Sequence, residues 1–314
     1  MRKFDDIGFY KTMQIFITGG TGFLGQQLCR ILLHEGHQLT ILTRQPDVVF
    51  SRYQGKVKAI SRIADLTIKD YFDVVINLAG EGIADKPWTN QRKRLLYSSR
   101  VSLTEELVDW MQRANTPPQV FISSSAIGWY GNQQAHIVDE DSNAHDEYVH
   151  RLCQAWEDAA LNARSLPTRV CIIRTGVVLG LQGGLLKRLL PVFSLNLGGR
   201  LGDGQQWLSW ISLYDYLSAV LFLMTHPTLS GIFNLTAPQP VTNLEFTQTF
   251  ASKLKRKALL PLPKPLLSLL MGEMSTLLVD GQRVLPSRLL KAGFRFRTPA
   301  LSDAFDYEIN QSLL

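Results

Sequence analysis

Cysteine is scarce in this chain of 314 residues, and long apolar runs are missing from it. The three cysteines, Cys29, Cys153 and Cys171, form no C-x-x-C pair and fall in helix-like or strand-like segments. We therefore expect reduced thiols and a cytoplasmic protein. The most apolar stretch, 259–271, is interrupted by three prolines and a lysine, so it is unfit to span a bilayer. We expect no membrane partner.

Metal-ligand spacing and dense basic tracts are also lacking. The six histidines form no zinc-type pattern with other ligands, so we predict no metal site. The net charge is +6 and the pI about 9.2, but basic residues cluster only at 92–94 and 253–257, beside helical spacing. Solvated helix faces explain such clusters, so we expect a small anionic molecule rather than nucleic acid as the partner.

The amino terminus has no secretory pattern. The first twelve residues contain five charges and no continuous apolar core, so we expect no signal peptide. Met13 directly precedes the first strand pattern, so translation starting there would leave 1–12 as a tail. We expect residues 1–12 to lie outside the fold.

A glycine-rich turn follows that strand pattern. The apolar run 14–18 leads into G-x-G-x-x-G, a helical pattern then extends to about residue 35, and a second strand pattern covers 38–43. This βαβ unit exposes main-chain amides to a pyrophosphate, so we predict that a dinucleotide binds at the turn. The candidate cofactor-binding residues of the turn are Gly19, Gly20, Thr21, Gly22, Phe23, Leu24 and Gly25.

The residues after the second strand indicate which dinucleotide binds. NAD sites usually place a carboxylate there for the ribose 2′-hydroxyl, whereas a basic side chain accommodates a 2′-phosphate. Here Thr43 and Arg44 occupy the position, and the first acid is Asp47. We therefore favour NADP(H) over NAD(H), although a solvated loop residue is the alternative interpretation of Arg44.

Strand and helix patterns alternate beyond this unit, which predicts an α/β fold. We expect a Rossmann-like, doubly wound parallel sheet with a smaller, mostly helical C-terminal lobe. The dinucleotide domain is placed at 13–180, with returning segments from about 205–240, and the substrate lobe at 181–314. Because ligands lie beyond the carboxyl ends of such strands, the following loops add further cofactor candidates. These are Leu78, Ala79, Gly80, Ser123 and Val177.

The motifs at 18–25, 77–80 and 123–131 resemble those of extended short-chain dehydrogenase/reductases, the nucleotide-sugar epimerase and dehydratase group. More specifically, segments 206–211 and 272–296 resemble an atypical sugar-epimerase-like branch with a characteristic C-terminal domain of unknown function. The resemblance covers essentially everything from Met13 onward. It implies an NADP(H)-dependent oxidoreductase or epimerase-like enzyme with a hydroxyl or carbonyl substrate. Homodimers are frequent among related proteins.

The chain departs from that family at the proton-transfer pair. Standard members carry Tyr-x-x-x-Lys, in which the ammonium lowers the pKa of the phenol. Here Leu152 stands four residues after Tyr148. Alignment on Glu157 instead puts Cys153 at the lysine position. The atypical branch carries this cysteine together with Arg100, a candidate for the cofactor phosphate, for a substrate carboxylate, or for the missing positive charge.

The remaining candidates for catalysis are hydroxyl, phenol and thiol groups. Ser125 occupies the position of the serine that forms a hydrogen bond with the reacting group, and Ser124 is a near-equal candidate. Serines at strand ends also satisfy backbone groups by hydrogen bonding, which is the alternative interpretation. The catalytic candidates are Ser125, Tyr148 and Cys153, with Tyr130, His150 and Glu81 as further acid or base options. Cys153 is also explained as a small buried apolar residue. A non-catalytic NADP(H)-binding protein is therefore the alternative function.

Overall fold

The structure, a computed structural model, describes residues 11–312, so residues 1–10 of the expected tail lie outside the described residues. Thirteen strands occur in this part of the chain: β1 Gln14–Thr18, β2 Gln38–Leu42, β3 Val57–Ile60, β4 Val74–Asn77, β5 Val120–Ala126, β6 Ile137–Val138, β7 Arg169–Thr175, β8 Val177–Gly180, β9 Trp207–Leu208, β10 Trp210–Ser212, β11 Gly231–Leu235, β12 Val241–Thr242 and β13 Arg283–Val284.

Seven of these strands form one sheet in the order β11-β7-β5-β4-β1-β2-β3, and every pairing in it is parallel. The strands read as apolar runs because both faces of the sheet are covered. Ile15 and Ile17 of β1 face one core cluster while Phe16 faces another, and all three are fully buried. From β1 the strand order runs to one side through β2 and β3, and from β4 it runs to the other side. Ligands of such sheets bind at this point of reversal, between β1 and β4.

The helices cover both faces of this sheet and build the C-terminal lobe. They are α1 Phe23–His34, α2 Pro46–Arg52, α3 Asn90–Tyr97, α4 Leu103–Arg113, α5 Tyr148–Leu161, α6 Gly184–Ser194, α7 Leu213–Thr225, α8 Asn243–Lys253, α9 Lys264–Met271, α10 Thr276–Val279, α11 Ser287–Lys291 and α12 Leu301–Ser312. The predicted fold class is confirmed. Pro191 lies inside α6, which continues to Ser194.

The C-terminal lobe has a core of its own. Aromatic rings of α6, α8 and α12 meet there, with the Phe250 ring centroid 5.0 Å from those of Phe193 and Phe305. Thr242 caps α8 by accepting a hydrogen bond from the Glu245 amide at 3.2 Å. Segment 205–240 returns to the main sheet through β11, which pairs with β7.

Three further observations bear on the class of protein. All three cysteines are free and buried. Within residues 11–312, no helix combines the length and apolar character needed to cross a bilayer. The same part of the chain has no cluster of three His, Cys, Asp or Glu side chains suited to a metal ion.

Candidate functional site

A cleft of about 450 Å³ opens beside the glycine turn, at the carboxyl ends of β1, β2 and β4. Its volume is in the usual range for small-molecule sites. The residues that line it come from the turn, from the end of β2, from the loop after β4 and from α3 and α4: Gly19, Thr21, Gly22, Leu42, Thr43, Arg44, Ser61, Leu78, Ala79, Gly80, Glu81, Leu95, Ser98, Ser99 and Leu103. Eight of the predicted cofactor residues are therefore together in this cleft.

Two glycines make the turn possible. Gly19 has φ +70°, a conformation that side chains disfavour. A Cβ at Gly25 would lie 2.3 Å from the Gly19 carbonyl oxygen, so only glycine lets α1 approach the turn. No side chain caps the start of α1 at Gly22, and its first turn contains no acid. The amides of Phe23 and Leu24 are therefore placed where an anion would bind.

Arg44 lies at the rim of the cleft in an ion pair. Its side chain is 90% exposed, and one guanidinium nitrogen is 3.2 Å from Glu81 Oε1. The other Glu81 oxygen lies 3.4 Å from Arg92, which is 7% exposed and also donates to the Gly82 carbonyl at 2.6 Å. Glu81 thus holds two arginines at once. An anion that approached Arg44 would compete with this carboxylate.

Arg100 fixes the loop that follows β4. It lies in a π-helical turn, Ser98–Ser102, between α3 and α4, and such turns often occur at functional sites. The guanidinium donates to the Glu81 carbonyl at 2.8 Å and lies flat on Gly80, where a Cβ would be 3.1 Å from Cζ. It also lies over the Trp156 ring, with Cζ 5.3 Å from the centroid. Burial lowers the pKa of Arg100 from its usual value.

Tyr148 begins α5, on the side of the site that faces the C-terminal region. Its ring packs on Trp88 with centroids 5.0 Å apart, and Lys93 Nζ lies 4.4 Å from the ring centroid. The phenol oxygen is buried and has no hydrogen-bond partner among the described residues. Burial raises the pKa of this phenol, and the nearby Arg100 charge opposes part of that rise. A buried hydroxyl without a partner is a group that a ligand can satisfy.

Ser123 belongs to a buried polar network at the strand ends. Asn77 accepts from Thr18 Oγ1 at 2.6 Å and donates to Thr104 at 2.8 Å and to Ser123 at 3.2 Å. Ser123 is fully buried. Its side chain ties β4 to β5, so any contact of this residue with a cofactor would come from its main chain.

Ser125 lies against a buried ion pair that the sequence analysis did not anticipate. Its hydroxyl donates to Glu157 Oε1 at 2.6 Å. Arg174 holds the same carboxylate with two nitrogen–oxygen distances of 2.8 Å, and its Cζ lies 3.4 Å from the Trp129 ring centroid. Both charged side chains are 2% exposed. Because the Ser125 O–H donates to Glu157, the serine oxygen can act toward a further partner only as a hydrogen-bond acceptor, for example from a substrate hydroxyl.

Cys153 and Tyr130, two of the other catalytic candidates, are also buried. Cys153 is buried, and burial raises the pKa of its thiol to about 12, so it is neutral near pH 7. Tyr130 is fully buried, donates to Asn234 at 2.8 Å, and has a phenol pKa that burial raises to about 12. These two residues pack the region behind the site.

Several contacts join the C-terminal region to this site. The Phe23 ring at the start of α1 packs against the backbone of Gly180 and Gly183, where an added Cβ would lie 2.7 and 2.3 Å from ring atoms. Arg188 of α6 pairs with Asp85 and donates to the Ala84 carbonyl at 3.1 Å. Lys93 pairs with Glu273 at 2.6 Å.

The polar motif at 280–283 packs against the main domain. The Gly281 carbonyl accepts from the Gln133 amide at 3.2 Å, and the Gln282 carbonyl accepts from Ser209 at 2.7 Å. Arg283 lies over the Trp207 ring at 4.3 Å. This motif joins three parts of the chain that lie far apart in sequence.

The sheet order, the uncapped helix after the glycine turn and the adjoining cleft define a dinucleotide-binding protein of the Rossmann type. The chain belongs to the NAD dependent epimerase/dehydratase family, whose model matches residues 15–236. A second model, a domain of unknown function (DUF1731), matches residues 262–307. The resemblance described from the motifs is thereby confirmed.

Relatives are similar over most of their length. An epimerase family protein of Mycobacterium leprae is 37% identical over 93% of this chain and 94% of that protein. The chloroplastic SDR39U1 homolog of Arabidopsis thaliana is 36% identical over 93% of this chain and 85% of that protein.

Solved structures show the same architecture. The human epimerase family protein SDR39U1 (isoform2), a structure with NADPH, superimposes with a TM-score of 0.87 at 30% identity, covering 95% of this chain and 99% of that one. The UDP-glucuronic acid 4-epimerase of Bacillus cereus has a TM-score of 0.74 at 16% identity, covering 96% and 100%. This second likeness concerns the fold alone.

Proposed function

We propose that this protein is an NADP(H)-dependent oxidoreductase or epimerase-like enzyme. Its substrate is a small molecule with a hydroxyl-bearing or carbonyl carbon, and sugar nucleotides are the first class to test. The observation that carries the proposal is the cleft beside the glycine turn, joined through the Gly80–Glu81 loop and Arg100 to the partnerless phenol of Tyr148. A reduced, cytoplasmic setting is part of the proposal and agrees with three free thiols.

The residues present fit an NADP(H) molecule. The amides at the start of α1 suit the pyrophosphate, and Arg44 suits a 2′-phosphate. The coenzyme named for the human relative is NADPH, in agreement with the choice that Arg44 predicts. Leu78, Ala79 and Gly80 would flank the adenosine half. Ser125 lies near the carboxyl end of β5 and Val177 just after that of β7, at the same edge of the sheet but on the other side of β4 from the glycine turn.

The proton and the substrate oxygen are managed by the chain's own groups. A bound nicotinamide would supply the hydride donor or acceptor for the substrate carbon. Tyr148 takes the proton of the reacting hydroxyl during oxidation and returns it to the carbonyl oxygen during reduction. Ser125, whose O–H is directed at Glu157, accepts a hydrogen bond from a second hydroxyl of the substrate. Burial raises the phenol pKa of Tyr148, and Arg100 supplies the positive charge that opposes this rise, in place of a lysine at the position of Cys153.

Removal of the Arg44 side chain tests the coenzyme assignment. In Arg44→Ala, NADPH binding is expected to weaken roughly ten- to hundredfold, because one or two charge-assisted hydrogen bonds to the 2′-phosphate are lost. NADH binding is expected to stay unchanged. Calorimetric titration of both coenzymes measures the two affinities. The control is Arg52→Ala, an exposed arginine at the end of α2, and equal weakening of NADPH and NADH in Arg44→Ala would overturn the assignment.

Isotope exchange tests turnover. Deuterium-labelled NADPH, incubated with a panel of sugar nucleotides and small carbonyls, is expected to transfer label to one class. Tyr148→Phe is expected to reduce that transfer by roughly a hundredfold or more with NADPH affinity retained, because it removes the proton donor. Tyr97→Phe is the matched control, since its ring is 45% exposed. Equal transfer by Tyr148→Phe and wild type would remove Tyr148 from the mechanism.

A non-catalytic NADP(H)-binding protein is the second candidate. It is favoured by the neutral Cys153 at the lysine position and by a Ser125 hydroxyl already engaged with Glu157. Tight NADPH binding without label transfer to any compound, unchanged in Ser125→Ala and Tyr148→Phe, would support this candidate.

A further inference from the structure

Two segments of the C-terminal region contain no acidic residue. Residues 182–202 include three basic side chains, and residues 246–272 include five. Together the two segments have eight positive charges and no negative charge, whereas the net charge of the whole chain is +6. The basic residues are Lys187, Arg188, Arg200, Lys253, Lys255, Arg256, Lys257 and Lys264.

The two segments lie side by side in the fold. The Leu260 amide donates to the Gly198 carbonyl at 3.2 Å, and the Leu262 amide donates to the Arg200 carbonyl at 2.9 Å. The Lys257 amide donates to Asn196 Oδ1 at 2.9 Å. We name these two segments together the acid-free surface. The sequence alone predicts one solvated helix face at 253–257, whereas in the fold the positive charge extends over a neighbouring segment.

The acid-free surface also exposes large aliphatic side chains. Eight of the fifteen exposed large hydrophobic residues of the described chain lie on it: Val192, Leu195, Leu197, Leu259, Leu260, Leu266, Leu269 and Leu270. Leu269 is 81% exposed and Leu195 is 69% exposed. Isolated exposed leucines are common, but a concentration of them in adjoining segments marks an interaction surface.

Most of the positive charge on this surface is available to a partner. Among the described residues, only Arg188 and Lys253 of the eight form ion pairs, with Asp85 and Asp306. Lys255, Arg256 and Lys257 are exposed at the end of α8, and Lys264 is exposed at the start of α9. The occupant of this surface therefore has to be both negatively charged and apolar.

We propose that the acid-free surface docks on an anionic phospholipid membrane. Anionic headgroups attract clustered lysine and arginine, while exposed leucines enter the headgroup boundary. A second copy of the chain fits less well, because a two-fold interface would place the same positive charges against each other. Lying on a bilayer needs no spanning helix, so this inference replaces the expectation of no membrane partner. It is independent of the proposed enzymatic function.

Vesicle flotation tests the proposal with the full chain. Wild-type protein is expected to float with phosphatidylcholine vesicles that contain phosphatidylglycerol, and much less with pure phosphatidylcholine vesicles. Flotation is expected to fall as salt rises, because ions screen the attraction. Two double variants are each expected to lower the partition coefficient roughly tenfold or more: Lys255→Glu with Lys257→Glu, and Leu269→Ser with Leu270→Ser. All four side chains are exposed, so the fold is expected to persist.

Matched controls lie near β3, which is the edge strand at the other end of the sheet from β11. Lys56→Glu with Lys69→Glu makes the same net charge change, and Ile68→Ser changes a side chain that is 49% exposed. Both controls are expected to float like wild type. Three results would overturn the proposal: no flotation with phosphatidylglycerol at low salt, equal losses in the controls, or a concentration-dependent dimer that Leu269→Ser with Leu270→Ser dissociates while vesicle binding is absent.

Discussion

Gly25→Ala is expected to weaken NADPH binding by at least a hundredfold. The added Cβ would lie 2.3 Å from the Gly19 carbonyl oxygen and 2.7 Å from the Gly20 Cα, and both neighbours are backbone atoms. The start of α1 has to move away from the turn, so its amides no longer converge on the pyrophosphate. The strain is expected to cost about 1–3 kcal/mol of stability as well. Calorimetric titration with NADPH measures the affinity.

Gly36→Ala is the control for this result, at the other end of the same helix. Gly36 has φ +84° and nothing within 4 Å of an added Cβ. The substitution is expected to cost about 1 kcal/mol of stability through backbone strain, with NADPH affinity unchanged. If Gly25→Ala bound NADPH as tightly as Gly36→Ala, the turn would not be the pyrophosphate site.

Glu157→Ala is expected to lower the free energy of unfolding by about 3–5 kcal/mol, because it leaves a buried guanidinium without its counter-charge. The Arg174 side chain is 2% exposed and makes two 2.8 Å contacts with this carboxylate. Ser125 loses its acceptor in the same variant. Urea unfolding followed by tryptophan fluorescence gives the change through the midpoint at constant m-value.

Asp158→Ala is the neighbouring control. Asp158 is exposed and accepts one hydrogen bond from Gln154 at 2.7 Å, so its loss is expected to change stability by less than about 0.5 kcal/mol. A stability loss in Glu157→Ala as small as that in Asp158→Ala would show that Arg174 does not depend on the pair.

The sequence was sufficient to predict the sheet and the glycine turn because their signals are local. The first strand and the turn together occupy a dozen consecutive residues, 14–25, and the buried parallel strands are short apolar runs between helical patterns. The π-helical turn at 98–102 has no such signal, because the residues from 90 to 111 have the spacing of one continuous helix. The spacing of the apolar residues in this segment therefore could not show which way the Arg100 side chain points.

The polar contacts of the site depend on residues that are far apart in the chain. Arg44 and Glu81 are 37 positions apart, and Ser125 and Glu157 are 32 apart. Glu81 was considered as an acid or base, and only the folded chain shows it between two arginines. The acid-free surface is visible in composition, but the adjacency of its two segments is a property of the fold.

Phe23 has a consequence for how the molecule unfolds. Its ring belongs to the helix whose amides suit the pyrophosphate, yet it packs against Gly180 and Gly183 at the start of the C-terminal region. A fragment cut near residue 180 would expose this ring to water at the coenzyme site. Loss of coenzyme affinity and loss of tertiary structure should therefore coincide in a single cooperative transition, and the two lobes should not melt in sequence.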